Sequence, residues 1–220
     1  MASYARAFSG ICQECEKQFP MADRFCTVVN LDMEGFEKDK FLDGSLNRVC
    51  CPFCNTEFTF ELPMIVLSGR KKFACLVDPN VDIKGIEAIK NPPYILFGDD
   101  FNFRCVRYME EAREKIRILD SGCDDIVIEY IKLISFNDED ALPFDEVSLV
   151  FNSKKDDTYE FLKLDYNCRI LDRFLVEYKE SDIPDVIKNM KYSLDGRKWH
   201  KADRISLKEE LICQNIKISL

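Results

Sequence analysis

Four of the eleven cysteines in this 220-residue chain form two short pairs with the same internal spacing. One pair lies in the sequence Cys-Gln-Glu-Cys at residues 12–15, and the other in Cys-Pro-Phe-Cys at residues 51–54. A Cys-x-x-Cys turn, or knuckle, presents two thiolates from one tight loop, whose backbone N–H groups can spread the sulfur charge. Two knuckles supply the four tetrahedral thiolates that a structural zinc ion requires. The spacing therefore predicts one zinc ion with four ligands, Cys12, Cys15, Cys51 and Cys54.

Features next to the knuckles bear on this prediction. The residue after a knuckle often needs a positive φ angle, which Asn55 tolerates well and Glu16 less well. Each knuckle is followed by a phenylalanine four residues after its second cysteine, at Phe19 and Phe58. Cys50 adjoins the second knuckle and could compete as a ligand, but the loop that it would close has the wrong length. Cys50 is therefore left out of the predicted ligand set.

Two other interpretations of the paired cysteines stay open. The sequence Cys-Pro-Phe-Cys resembles a glutaredoxin active site, in which the first cysteine lies at a helix N-terminus that lowers its pKa. Residues 56–62 instead alternate between apolar and polar side chains, which predicts a half-buried strand. Glu57 and Glu61 on this strand would also raise a thiolate pKa. Redox chemistry at Cys51 and Cys54 is therefore less favoured, and buried thiols without a ligand are the other alternative.

Other catalytic patterns in the sequence are weak. His200 is the only histidine, and it lies beside the only tryptophan in the basic, turn-like residues 195–201. The acidic runs at residues 138–140 and 156–157 fall in predicted loops, where solvated charge is the usual interpretation. Only eight glycines occur, and none forms a Gly-rich phosphate loop. A four-cysteine zinc site has no open position at which to activate water, so we expect no enzymatic activity.

The composition is that of an acidic globular protein. Hydrophobic residues make up 46% of the chain and charged residues 32%, and 17 Phe with 8 Tyr favour a β-rich core. The formal net charge is −9, with a pI near 4.9. Four thiolates with one Zn²⁺ would bring the charge to about −11. Such a surface repels nucleic acid and attracts a basic protein, although acidity that only aids solubility is the simpler interpretation.

The sequence shows no targeting or membrane signal. The first ten residues lack the apolar run of a signal peptide, and no stretch approaches the ~20 apolar residues of a membrane span. The odd number of cysteines argues against a disulfide scaffold. We therefore expect a cytoplasmic protein in a reducing environment.

The elements that must position the knuckles include an insertion between them. The 35 residues between Cys15 and Cys51 exceed the usual ~15–20, so this segment must fold by itself. Residues 25–31 are predicted as a strand and residues 33–43 as a helix. Asp32 is the predicted N-cap of this helix, and Gly44 suits the position just after its end.

The remaining sequence predicts an α+β protein with a β-rich C-terminal half. The predicted elements are strands at 64–67 and 73–77, helices within about 106–135, strands at 146–152, 158–164 and 174–178, helical turns at 184–190 and a closing strand at 211–220. Ser121 is the predicted N-cap of the second helix. In the first helix, Arg113 interrupts the apolar stripe, and Glu111 with Lys115 is a predicted surface pair. The predicted domains are residues 1–90, zinc-ribbon-like with the inserted helix, and residues 91–220.

Several stretches of the sequence resemble the bacterial CpXC domain family. They are residues 41–47, 51–54, 60–63, 73–79 and 113–129, and the resemblance spans roughly residues 9–135. It implies zinc at the paired cysteines and no defined biochemical activity. The chain differs from the family pattern at Gln13, where the family name implies proline, and at Cys123, where leucine is expected. Neither difference removes a ligand.

These observations together predict a non-enzymatic zinc-binding protein that acts as a protein-interaction module. One concrete form is an acidic inhibitor or immunity protein that covers a basic toxin. A nucleic-acid-binding zinc-ribbon regulator is the first alternative, and the acidic balance argues against it. A thiol redox protein that uses Cys51 and Cys54 is the second alternative.

Overall fold

A computed structural model describes residues 8–12, 14–21, 25–60, 62–78, 101–135, 147–165 and 169–188. In these ranges the chain is an α+β protein that is β-rich toward both ends, as predicted. Its elements are, in chain order, β1 (Phe8–Ile11), β2 (Gln18–Met21), β3 (Val28–Asn30), α1 (Phe36–Asp43), β4 (Arg48–Cys50), β5 (Glu57–Thr59), β6 (Met64–Ser68), β7 (Phe73–Val77), β8 (Asn102–Val106), α2 (Met109–Asp120), α3 (Asp125–Ser135), β9 (Val147–Lys155), β10 (Thr158–Asp165), β11 (Ile170–Glu177) and a 3-10 turn (Glu180–Asp182).

Two small antiparallel hairpins, β1–β2 and β4–β5, carry the knuckles. A four-stranded mixed sheet has the order β3-β6-β7-β8, and its first strand lies between the two hairpins in the sequence. Its central hairpin, β6–β7, matches the predicted strands, and β3 and β8 each add to it in parallel. We predicted that Val106 begins a helix, but this residue ends β8. Four of the five residues of β8 are buried, including Arg104, so β8 lacks the alternation that marks a strand in sequence.

The helix ends follow local hydrogen bonding. Gly44 takes the left-handed conformation after α1 with φ 82°, as predicted. Asp32 does not cap α1, because its carboxylate accepts the Ser68 hydroxyl at 2.6 Å and the Arg70 N–H at 3.0 Å in the β6–β7 turn. Ser121 is not the N-cap of α3 either, since its hydroxyl donates back to a carbonyl at the end of α2. Asp124 fills that role by accepting the N–H groups of the first turn of α3.

The C-terminal half contains a three-stranded antiparallel sheet in the order β11-β10-β9, which we call the C-terminal sheet. Strands β9 and β10 pair as an antiparallel hairpin, and Asp156 in the turn between them has a φ of 54°. The inner face of the C-terminal sheet buries Phe151, Tyr159 and Phe161 against α3 and the end of α2. Helix α3 is buried on nearly every side, and its buried residues include Asp125, Glu129 and Lys132 as well as apolar side chains.

Charged side chains are buried where α2 and α3 meet. Lys115 is only 2% exposed and binds Glu129 at 2.9 Å, so the predicted surface position of Lys115 is wrong. Lys132 lies 3.0 Å from Glu129 and 2.6 Å from Glu114. The sequence could not indicate this arrangement because the partners of Lys115 come from a second helix. Each of these buried charges lies beside an opposite one, so none is left uncompensated in the interior.

Some predictions fall outside the described residues. These are the domain boundary near residue 90, the acidic run 138–140, the basic turn with His200 and the closing strand 211–220. In the part of the chain that the structure describes, every helix is too short or too polar to cross a bilayer.

Candidate metal centre

Each knuckle is the turn of one of the two small hairpins. In the first, the Glu16 N–H donates to the Cys12 carbonyl at 2.8 Å, and the Cys12 N–H donates to the Lys17 carbonyl at 3.1 Å. The second repeats the pattern, since the Asn55 N–H donates to the Cys51 carbonyl and the Cys51 N–H to the Thr56 carbonyl, both at 2.9 Å. The two Cys-x-x-Cys sequences therefore fold into the same local structure.

The residue after each knuckle has the left-handed backbone conformation predicted for it. Asn55 has a φ of 59° and Glu16 a φ of 56°. Asparagine adopts this conformation readily, whereas for glutamate it is uncommon. The two turns have equivalent hydrogen bonds, and these bonds require the left-handed conformation at both positions. The uncommon conformation of Glu16 is therefore imposed by the knuckle itself.

The structure brings the four paired cysteines together into one cluster. Their Sγ atoms all lie within 4.8 Å of one another. The Cys12 and Cys54 sulfurs are 3.6 Å apart, and those of Cys15 and Cys51 are 3.7 Å apart, so both close pairs join one knuckle to the other. A tetrahedral ion with bonds of about 2.3 Å to sulfur places its ligands about 3.8 Å apart. The cluster thus has the size of a four-thiolate metal site.

A small hydrophobic core supports the cluster from one side. Cys12 and Cys51 are completely buried, Cys15 is half-buried and Cys54 is exposed. The residues packed with them are Phe19, Phe25, Val49, Phe58, Phe60 and Leu62. The rings of Phe19 and Phe58, the two phenylalanines at equivalent positions after the knuckles, meet edge to face with centroids 6.3 Å apart. The two hairpins therefore pack through both their sulfurs and their aromatic rings.

The thiols differ in their proton affinity. The Thr56 hydroxyl, 3.3 Å from the Cys54 sulfur, and the Thr56 backbone lower the pKa of Cys54 to about 6. The Lys17 backbone favours the thiolate of Cys15, but desolvation and the three neighbouring sulfurs outweigh it and raise the pKa of Cys15 to about 12. Four thiols so close together cannot all ionise without a cation, and a divalent metal ion supplies the compensating charge.

Two further observations concern the alternatives. Cys50 lies beside the cluster on β4, with its exposed thiol directed at the Cys51 carbonyl at 3.8 Å, and it is not one of the four clustered cysteines. The residues after Cys54 form β5 rather than a helix, so the helix N-terminus that glutaredoxin chemistry needs is not present at this knuckle. The sequence analysis did not predict that Thr56 contacts the Cys54 sulfur. A hydroxyl residue two positions after a knuckle cysteine could have indicated this contact.

Two antiparallel knuckle hairpins whose four thiols converge define the class of protein, one with a four-cysteine cluster of the size that a metal ion requires. A family model described as CpXC protein matches residues 10–132, more than half of the chain. The chain therefore belongs to the CpXC family. Searches of curated proteins and of solved structures returned no match.

Proposed function

We propose that this chain is a non-enzymatic zinc-binding protein in which one zinc ion folds the two knuckle hairpins. The observation that carries the proposal is the convergence of four sulfurs within 4.8 Å. Soft thiolates in a tetrahedral set suit zinc, whereas Ca²⁺ and Mg²⁺ prefer oxygen ligands. The aromatic core beneath the cluster is small, and metal binding supplies the stability that such a core lacks.

The same four-thiol set supports a structural rather than a catalytic role for the metal. A catalytic zinc keeps one coordination position for water or substrate, and four protein thiolates fill all of them. Cys12 and Cys51 are fully buried, so substrate cannot approach the metal from their side. We propose that the protein acts by binding a partner rather than by catalysing a reaction.

The charge distribution supports a basic protein as that partner. Residues 1–90 carry 11 Lys and Arg against 13 Asp and Glu, while residues 91–220 carry 20 against 27. The excess negative charge therefore lies mostly outside the half with the knuckles. An acidic surface speeds encounter with a cationic partner, and salt weakens this effect. An inhibitor or immunity protein for a basic toxin is the specific form of this proposal.

One observation favours nucleic acid as a second candidate partner. Phe53 at the tip of the second knuckle is 54% exposed, and the Lys17 ammonium lies 4.9 Å from the centre of its ring. An exposed aromatic ring beside a cation can stack on a nucleobase. The net charge of −9 opposes this partner, so we place it second.

Affinity capture from a lysate of the native host tests the two partners against each other. We expect a protein of basic pI to be recovered at low salt and released at ~0.5 M salt, where the screening length falls well below ~10 Å. A Phe53→Ala variant should capture the same protein, because the proposed contact with a basic protein uses acidic side chains and not the Phe53 ring. Recovery of RNA or DNA that Phe53→Ala abolishes would contradict the protein-partner proposal and favour nucleic acid.

A further inference from the structure

Helix α2 carries three charged residues on one face, Glu110, Arg113 and Arg117. Their spacing of three and seven residues places them along a single stripe of the helix. Glu110 binds both arginines, with one carboxylate oxygen 2.6 Å from Arg113 Nη2 and the other 2.7 Å from Arg117 Nη2. Arg113 interrupts the apolar stripe of the helix in sequence, yet it is only 8% exposed. It is buried as the partner of Glu110 in an ion pair.

Arg113 connects this stripe to the half of the chain that carries the knuckles. Its Nη1 donates to the Phe41 carbonyl at the end of α1 at 3.3 Å, and its guanidinium lies against Gly44. The Gly44 carbonyl in turn accepts Arg48 Nη2 at 3.4 Å. Arg48 begins β4, which leads directly into Cys51. One hydrogen bond of Arg48 thus joins the backbone just after α1 to the strand that enters the second knuckle.

Arg117 connects the stripe to the C-terminal sheet. Its Nε donates to the Phe151 carbonyl on β9 at 3.0 Å, and the Glu114 carboxylate of the same helix accepts the Phe151 N–H. Phe151 lies at a β-bulge, because it pairs with Phe161 while the next pair along the ladder joins Ser153 to Glu160. Two side chains of α2 thus hold both polar backbone groups of one residue of β9. This contact lies beyond residue 132, where the family match ends.

We propose that Arg113, Glu110 and Arg117 form a relay through which metal binding at the knuckles strengthens the docking of the C-terminal sheet on α2. The relay rests on the proposed metal site. When the metal leaves, the end of α1 loosens and Arg113 loses the acceptor that orients it. Glu110 then no longer holds Arg117 in one position, and the bond from Arg117 to Phe151 weakens. Coupling between such sites is typically 5- to 150-fold in an equilibrium constant.

Hydrogen–deuterium exchange of β9 and β10, measured on the full chain with zinc and after chelation, tests this relay. In the wild type we expect chelation to raise exchange across residues 147–165 by about tenfold. Glu110→Gln should remove this metal dependence, with similar exchange in both states, while zinc still binds. The matched control is Asp120→Asn, which alters another ion pair of the same helix, with Lys71, and should keep the tenfold difference.

The outcomes separate the relay from the metal site, because zinc content is measured on the same samples. The relay is supported if the chain binds one zinc and if Glu110→Gln abolishes the effect of chelation on exchange in residues 147–165. One zinc per chain with equal exchange in the two wild-type states overturns the relay alone. A metal dependence that persists in Glu110→Gln also overturns it, because global unfolding of the metal-free chain would then explain the result. A chain that binds no metal overturns both proposals.

Discussion

Replacing Cys51 with serine is expected to abolish metal binding and to unfold the two knuckle hairpins. The Cys51 sulfur is fully buried and lies 3.7 Å from that of Cys15, so a serine there removes both a ligand and an apolar contact. Structural zinc contributes on the order of 10 kcal/mol or more of apparent binding free energy. That is about as large as the burial of the whole apolar core of the knuckles, at about 1.5–3 kcal/mol for each side chain.

The neighbouring residue provides the matched control for this substitution. Cys50→Ser changes the same side chain one position earlier, but this thiol is exposed and outside the cluster. We expect Cys50→Ser to keep its zinc and its thermal unfolding temperature. Zinc content and thermal unfolding of both variants check the prediction. Equal loss of zinc in the two variants would contradict the assignment of ligands.

The second large effect is expected at Glu129, which joins two buried lysines. Glu129→Gln removes the negative charge that compensates Lys115 and Lys132, both less than 5% exposed. Breaking a buried ion pair by removing one partner typically costs about 3–5 kcal/mol. Chemical denaturation should show a loss of this size for Glu129→Gln. Asp185→Asn, which removes a highly exposed partner of Lys188, should leave stability unchanged. If Glu129→Gln left the free energy of unfolding unchanged, Glu129 and the two lysines would not be buried together as charges.

The same network predicts how stability depends on pH. Burial opposes ionisation of Glu129, but Lys115 and Lys132 outweigh it and hold its pKa below the ordinary 4.5. Burial likewise opposes ionisation of Asp125, and Arg104 outweighs it to hold the pKa of Asp125 below 3.8. A carboxylate with a lowered pKa in the folded state stabilises the protein above its unfolded pKa. This stabilisation should be lost as the pH falls below about 4.

The knuckles could be predicted from the sequence because their structure is local. Two cysteines three residues apart and a turn with a positive φ require no distant partner. Asn55 and Glu16 adopt the predicted conformation, and the glycine after α1 adopts the left-handed conformation expected of it. The convergence of two knuckles 35 residues apart followed from chemistry, since each alone supplies only half of a tetrahedral site.

The errors in the sequence analysis arose where distant residues decide the structure. Val106 lies in a strand because β8 pairs with β7, which the helical spacing around it does not show. Lys115 is buried because Glu129 comes from another helix. Asp32 has the right chemistry for an N-cap, but it accepts the N–H of Arg70, 38 residues further along the chain. Ser121 is the exception, because its hydroxyl donates to a carbonyl only four residues before it. Polar residues with several possible partners are therefore the ones that sequence alone places least well.

The metal content and coordination of the purified protein test the central claim most directly. The protein should be prepared under reducing conditions without chelator, and elemental analysis should be combined with X-ray absorption at the zinc edge. We predict one zinc per chain, bound by four sulfur atoms at about 2.3 Å. Well under one zinc per chain, iron in place of zinc, or a coordination sphere with nitrogen or oxygen ligands would contradict the account.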